Sequence, residues 1–204
     1  MTKGTHWGER NDVNLHTANQ PGQTLLFTAA WEGYEGVMKM MLDRNDVNPN
    51  TIDQYGQTPL FVAAWKGHEK VVNTLLGREG VDPNTANKGG QAPLCVAAWE
   101  GHERVVKMLL DRNDVNPNTM NQQGQTPLSI AVWQGHEGVV NTLLERVDVT
   151  PNTADKDGQA PLSLAARKRH EGVVKALLER LDVNPNTANK YGQTPLLVAA
   201  WEGT

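Results

Sequence analysis

Four histidines, His68, His102, His136 and His170, recur at intervals of 34 residues, and a series of imidazoles is the first thing a metal ion would need. The spacing opposes that reading. Ligands on successive stacked helices would stand roughly 10 Å apart, whereas a Zn–N bond is about 2.0–2.1 Å, so no single ion bridges them. A structural role at a Gly-His turn is expected instead, with Tyr34 in the first place of the series. Cys95 is the only cysteine. It lies between Leu94 and Val96 with no His or Asp beside it in sequence, which fits a small core residue better than a nucleophile. The repeated Asp and Glu residues fit helix starts and loops better than paired catalytic acids. No glycine-rich phosphate loop is present, because the recurring glycines belong to the repeat. The chain is therefore read as non-enzymatic, with no metal and no cofactor.

Residues that could bind a partner are easier to find. Trp31, Trp65, Trp99, Trp133 and Trp201 share one register, and Arg167 holds the remaining place in it. Each tryptophan follows a small-residue pair at the end of a helical stretch. Each ring could pack on the next repeat and stiffen the array, or five together could form a partly exposed apolar patch of the kind that marks interaction sites. Both uses are compatible, with one ring face packed and the edge available. Arg167-Lys168-Arg169-His170 could dock a carboxylate or phosphate, or be a solvated turn altered in one unit. Three charges on a turn without aromatic interleaving are weak grounds for nucleic acid. A second variable surface lies at the loop tips. Tyr55, Lys88, Gln123, Asp157 and Tyr191 differ while the frame around them is nearly constant, and varied loops on a rigid frame are a common place for recognition; drift at a surface is the alternative.

Bulk properties narrow the classes. The chain has 204 residues, 38% hydrophobic and only 5% aromatic, with six of the aromatics tryptophan. Its formal charge of −4 argues against non-specific binding to nucleic acid or an anionic membrane. A single cysteine excludes an intramolecular disulfide and fits a reducing, cytoplasmic compartment. No apolar run approaches the roughly 18 residues of a membrane span, and the N-terminus lacks the apolar stretch of a signal peptide.

The elements that must position these residues come from the repeat. Gly-Gln recurs at Gly22, Gly56, Gly90, Gly124, Gly158 and Gly192, always 34 residues apart. In the unit GQTPLFVAAWKGHEKVVNTLL, Thr58 is a good N-cap and Pro59 suits the first helical position. Leu60, Ala63 and Ala64 line one helix face, and Gly67 ends that helix in the left-handed conformation glycine adopts cheaply. His68-Glu69 opens a second helix whose apolar face is Val71, Val72, Leu75 and Leu76. Val81-Asp-Pro-Asn-Thr then leads through an extended loop to the next turn. Each helix is about two turns, too short to persist alone, so stability must come from stacking. The boundaries are 1–21 for a degenerate partial repeat, 22–55, 56–89, 90–123, 124–157 and 158–191 for full units, and 192–204 for a half unit. The units are uneven: the Thr cap is lost at Ala92 and Ala160, Leu25 replaces Pro, and Arg169 replaces the turn glycine. DRNDVNPN in units one and three and VVNTLL in two and four point to duplication in blocks of two.

The pattern Gly-x-Thr-Pro-Leu-x-x-Ala-Ala-x-x-Gly-His-x-x-Val-Val-x-x-Leu-Leu resembles the ankyrin repeat, over residues 10–204. The Val-Asn-Pro-Asn-Thr-Ala loop looks like the variant of fungal ankyrin arrays, often attached to NTPase switch domains. The resemblance implies an all-α solenoid of stacked helix-turn-helix units with protruding loops and β-turns. It places the tryptophan register on a concave groove that varies with the partner. Glu32, Lys66, Glu100 and Lys168 would then stand at its rim and set register. The family's usual His after Thr-Pro-Leu is Phe27, Phe61, Cys95, Ser129, Ser163 and Leu197 here, so its polar network is absent or rebuilt. The family's Gly ending the second helix is replaced by Asn45, Glu79, Asn113, Val147 and Leu181, so that helix is expected to end differently. The implied function is a protein-binding scaffold. A peptide, sugar or cation cleft on the tryptophans and a structural or regulatory arm of a larger protein are the alternatives. Leu196, Val198 and Ala199 would lack a following helix, which predicts end-to-end association or fraying of the last half unit.

Overall fold

Residues 21–202 are described by a computed structural model. Apart from Pro21, the partial repeat expected over residues 1–21, including Trp7 and Gly8, lies outside the described residues. Eleven α-helices and no strand are found among those residues: α1 Pro21–Glu32, α2 Glu35–Leu42, α3 Pro59–Lys66, α4 Glu69–Leu76, α5 Pro93–Glu100, α6 Glu103–Leu110, α7 Pro127–Gln134, α8 Glu137–Leu144, α9 Pro161–Lys168, α10 Glu171–Glu179 and α11 Pro195–Glu202. Odd-numbered helices stack on one another, as do even-numbered ones, and each odd helix packs on the even helix after it. The result is a two-layer helical solenoid.

Local chemistry sets the helix ends. In α3 the Thr58 hydroxyl accepts from the Phe61 N–H at 3.1 Å, Pro59 opens the first turn, and Gly67 closes it at φ 72°. Ala92 and Ala160 cap α5 and α9 with no side-chain bond. The first unit departs from the frame. Without a proline at position 25 nothing stops the helix from continuing backwards, and α1 starts at Pro21, so Gly22 is helical rather than part of a turn. The even helices end without glycine in the left-handed region: Asp43, Gly77, Asp111 and Glu145 are right-handed and Arg180 is extended.

The core runs between the layers. Leu60, Ala63, Ala64, Val71, Val72 and Leu75 are all buried, as are their counterparts in the next two units. The alanines let neighbouring helices approach closely. Val198 departs from the sequence expectation: at 8% exposure it is buried, since α11 turns this residue inward as it packs on α9. Leu196, Ala199, Ala200 and Trp201 are exposed, and α11 itself is a complete helix.

Candidate functional site

The histidines are structural joints. The carbonyls of Trp31, Trp65, Trp99 and Trp133 meet Nε2 of His68, His102, His136 and His170 at 2.8, 3.1, 2.9 and 3.4 Å. Each ring also fills the space beneath the turn glycine of the preceding unit. A Cβ on Gly67 would stand 2.7 Å from the His102 ring. Histidine and glycine thus form one device across consecutive units. Among the described residues no three His, Cys, Asp or Glu side chains gather as a metal-holding group. Cys95 is fully buried, and burial pushes its thiol up from its ordinary value.

The missing family histidine is replaced piecemeal. Phe27 and Phe61 fill the place with apolar volume. Ser129 Oγ donates to the Thr126 carbonyl at 2.9 Å, and Cys95 Sγ meets Thr119 Oγ1 at 3.7 Å. Ser163 Oγ is buried without a partner.

The tryptophans form a half-buried edge. Trp31, Trp65, Trp99 and Trp133 all pack against the core while keeping part of their surface open, and Trp201 is 70% exposed. Trp31 and Trp65 meet edge to face, with centroids 5.6 Å apart, a favoured aromatic geometry. Three of the neighbouring charges lie against the indoles. Lys66 Nζ lies 3.6 Å over the Trp31 ring and 5.4 Å from the Trp65 ring, and Lys168 Nζ lies 3.7 Å over Trp133. The Trp65 indole N–H donates to Glu100 at 3.0 Å. These long side chains cover indole from the following unit, a use their spacing alone does not reveal. Arg167 is half-buried, its guanidinium carbon 5.8 Å from the Trp133 centroid.

The loop tips are braced at the base and open at the side chains. Asp53, Asn87, Asn121, Asp155 and Asn189 each accept two backbone N–H bonds through one side-chain oxygen, two and four residues on. The Asn/Asp alternation is therefore constrained by turn chemistry. Burial raises the Asp53 carboxyl above its ordinary value, against the lowering effect of the Gln57 and Tyr55 N–H groups. Successive tips are bonded through the backbone: Lys88 N–H to Tyr55 O at 2.9 Å, Gln122 N–H to Gly89 O at 3.0 Å, Lys156 N–H to Gln123 O at 2.9 Å. The side chains of Lys88, Gln123, Asp157 and Tyr191 remain exposed, and Tyr55 is half-buried.

Two inter-unit clamps escaped sequence reasoning. The Asn that follows each loop proline makes a two-point amide bond to the next loop. Asn84 donates to Asp114 O at 2.6 Å and accepts from Asn116 N–H at 2.9 Å, and Asn50, Asn118 and Asn152 do the same one unit along. Arg112, Arg146 and Arg180 each reach back to the last carbonyls of the preceding even helix, Leu76, Leu110 and Leu144, at 2.8, 2.5 and 2.8 Å. Each also holds the aspartate two residues on. The signal is present: Asn50, Asn84, Asn118, Asn152 and Asn186, and Arg44, Arg78, Arg112, Arg146 and Arg180, recur in all five full units at the repeat interval.

A family model for ankyrin repeats matches the chain in three copies, over residues 6–87, 74–155 and 147–204. A search of curated proteins found none that matches. No helix among the described residues is long and apolar enough to cross a membrane.

Proposed function

Because this chain belongs to the ankyrin-repeat family, whose members generally mediate protein–protein contact, we propose that it is a non-catalytic scaffold for a protein partner. The partner docks along the edge formed by Trp31, Trp65, Trp99, Trp133, Arg167 and Trp201. Tyr55, Lys88, Gln123, Asp157 and Tyr191 add contacts at the loop tips. The observation that supports this most is the half-burial of four indoles in one row, each held against the core with part of its surface left open. Rigid, pre-positioned aromatics lose little entropy on binding and are the usual anchors of interfaces. A small cation on the ring faces is the weaker reading, since Lys66 and Lys168 already lie over Trp31 and Trp133. A cytoplasmic setting suits a single buried thiol.

Affinity capture from cell extract reads the proposal, with a Trp99→Leu/Trp133→Leu chain of unchanged helicity as control. A protein held by the natural chain and lost from the variant supports it. Equal retention by both would move the interface away from the tryptophan edge.

We further propose that the C-terminal face takes another repeat surface end to end. Leu178, Leu196, Leu197 and Trp201 are exposed there at 52, 79, 43 and 70%. Their counterparts in the fourth unit, Leu144, Leu128, Ser129 and Trp133, are buried or half-buried beneath the next unit. Sedimentation over a concentration series should show self-association that Leu196→Glu weakens, and a monomer throughout sinks this assignment.

A further inference from the structure

The fifth unit carries three consecutive cations, Arg167, Lys168 and Arg169, where earlier units carry tryptophan, one variable polar residue and glycine. Elsewhere most arginines hold an acid: Arg44, Arg112, Arg146 and Arg180 hold an aspartate two residues on, and Arg104 holds Glu69. Arg78, whose aspartate place is Gly80, is an exception but stands without a second cation beside it. Among the described side chains none of the three cations of the fifth unit forms an ion pair.

Two of these charges share one indole. The Arg167 guanidinium and the Lys168 ammonium both lie over Trp133, so their mutual repulsion offsets part of what each gains from the ring. Nε and Nη2 of Arg167 are shielded from water and have no acceptor. Leaving such donors unsatisfied costs on the order of 1–3 kcal/mol. A like-charge cluster with an unsatisfied donor edge beside an apolar wall is poised for an anion.

We infer that Arg167, Lys168 and Arg169 form a carboxylate-binding subsite at one end of the tryptophan edge. It takes an Asp or Glu side chain of a partner segment, with an apolar neighbour of that residue resting on Trp133. This rests on the reading of that edge as the docking surface. Nε–H and the adjacent Nη2–H point along one edge of the guanidinium as parallel donors, which matches the two oxygens of a planar carboxylate. Lys168 and Arg169 supply the remaining charge and draw the acid in. A carboxylate is favoured over nucleic-acid phosphate by the indole wall and by the acidic charge of the whole chain. Arg167 as a whole is only half-buried, so turning its long side chain brings the shielded edge to an incoming acid.

The test is selection of displayed random dodecapeptides on the natural chain, followed by dissociation constants for the enriched peptides on Arg167→Trp and Arg169→Gly chains. Both substitutions install the residue that earlier units carry at the same place, and circular dichroism checks that helicity is kept. The expected result is a shared Asp or Glu among the enriched peptides. Affinity should fall about tenfold or more on Arg167→Trp, with an equal fall when that Glu is replaced by Gln in the peptide. Enriched peptides without a shared acid, or with unchanged affinity on both variants, overturn the subsite and leave the edge reading standing. Inorganic phosphate that displaces the acidic peptide from the natural chain as effectively as free glutamate does also overturns it, as a phosphate site. No enriched peptide at all takes down both readings.

Discussion

Leu128 in the fourth unit is 1% exposed, and Leu196, its counterpart two units on, is 79% exposed. The stretches around them read GQTPLSIAVW and GQTPLLVAAW. Val140 and Val174 differ in the same direction, as do Leu144 and Leu178. The residues of a unit therefore do not determine whether its apolar face is buried; the following unit does. Each two-turn helix is too short to hold itself, and each unit lends half its core to the next.

The sharpest way to break this contrast is to delete the same side chain at both places. Leu128→Ala should cost about 2–5 kcal/mol, the range for a well-packed core leucine, read from urea denaturation. Leu196→Ala, measured at concentrations where the chain is monomeric, should stay within about 0.5 kcal/mol, as for an exposed position. An equally large loss at Leu196 would show that the end face is covered in solution.

Arg169 sharpens the contrast from another side. It is the only non-glycine residue with positive φ among the described residues, at φ 59°. In each earlier unit the equivalent glycine lies against a histidine 35 residues on; the corresponding place after Arg169 is Thr204. Placing the end's residue in the middle tests this. Gly101→Arg should cost about 2–4 kcal/mol, combining left-handed strain with loss of the His136 bond to the Trp99 carbonyl. The reverse change, Arg169→Gly, should leave stability within about 1 kcal/mol. If Gly101→Arg were as mild, the histidine would be dispensable to stacking.

Where sequence reasoning succeeded and failed follows from distance along the chain. Thr58, Pro59 and Gly67 are legible because a cap, a first-turn proline and a left-handed turn act within four residues along the chain. Helix bounds Pro59–Lys66 and Glu69–Leu76 follow from them. The clamps of Asn84 and Arg112 were missed because their partners lie 30–36 residues away, and no local rule says which loop side chain faces the next unit. Spacing likewise does not show that Lys66 and Glu100 contact indoles of the preceding unit. The tryptophan row itself is legible from its register, and the structure shows four of its rings half-buried.

The arginine clamps predict a smaller difference with a pH signature. Arg146→Ala removes a bond to the Leu110 carbonyl at the end of α6 and the pair with Asp148. The loss should be about 1 kcal/mol, because the pair is partly exposed. The Arg146 hydrogen bond, and to a lesser extent its charge, holds the Asp148 carboxyl below its usual range. A lowered folded-state value gives stability that is present above the ordinary Asp range near 4 and is lost as pH falls through the folded value. The gap between the natural chain and Arg146→Ala should therefore narrow in acid. In the second unit Gly80 stands where the aspartate would be, so Arg78→Ala should show no such narrowing.

The smallest expected effect separates two uncapped helices that look alike in sequence. Ala92 and Ala160 both stand where Thr58 and Thr126 cap, and a Thr cap is worth about 0.5–2 kcal/mol. At α5 the place three residues after the cap is occupied by Cys95, whose sulfur already meets Thr119. At α9 it is occupied by Ser163, whose buried hydroxyl has no partner. In α7 the same Ser is served by Thr126, through its carbonyl at 2.9 Å and its hydroxyl at 3.5 Å. Ala160→Thr therefore repairs a cap and offers the orphaned serine a neighbour, whereas Ala92→Thr repairs the cap alone. Melting curves should show a gain of about 1 kcal/mol for Ala160→Thr and about half that for Ala92→Thr. A reversed order would mean that Ser163 finds its partner in solvent, because the end of the stack is more open there than its middle.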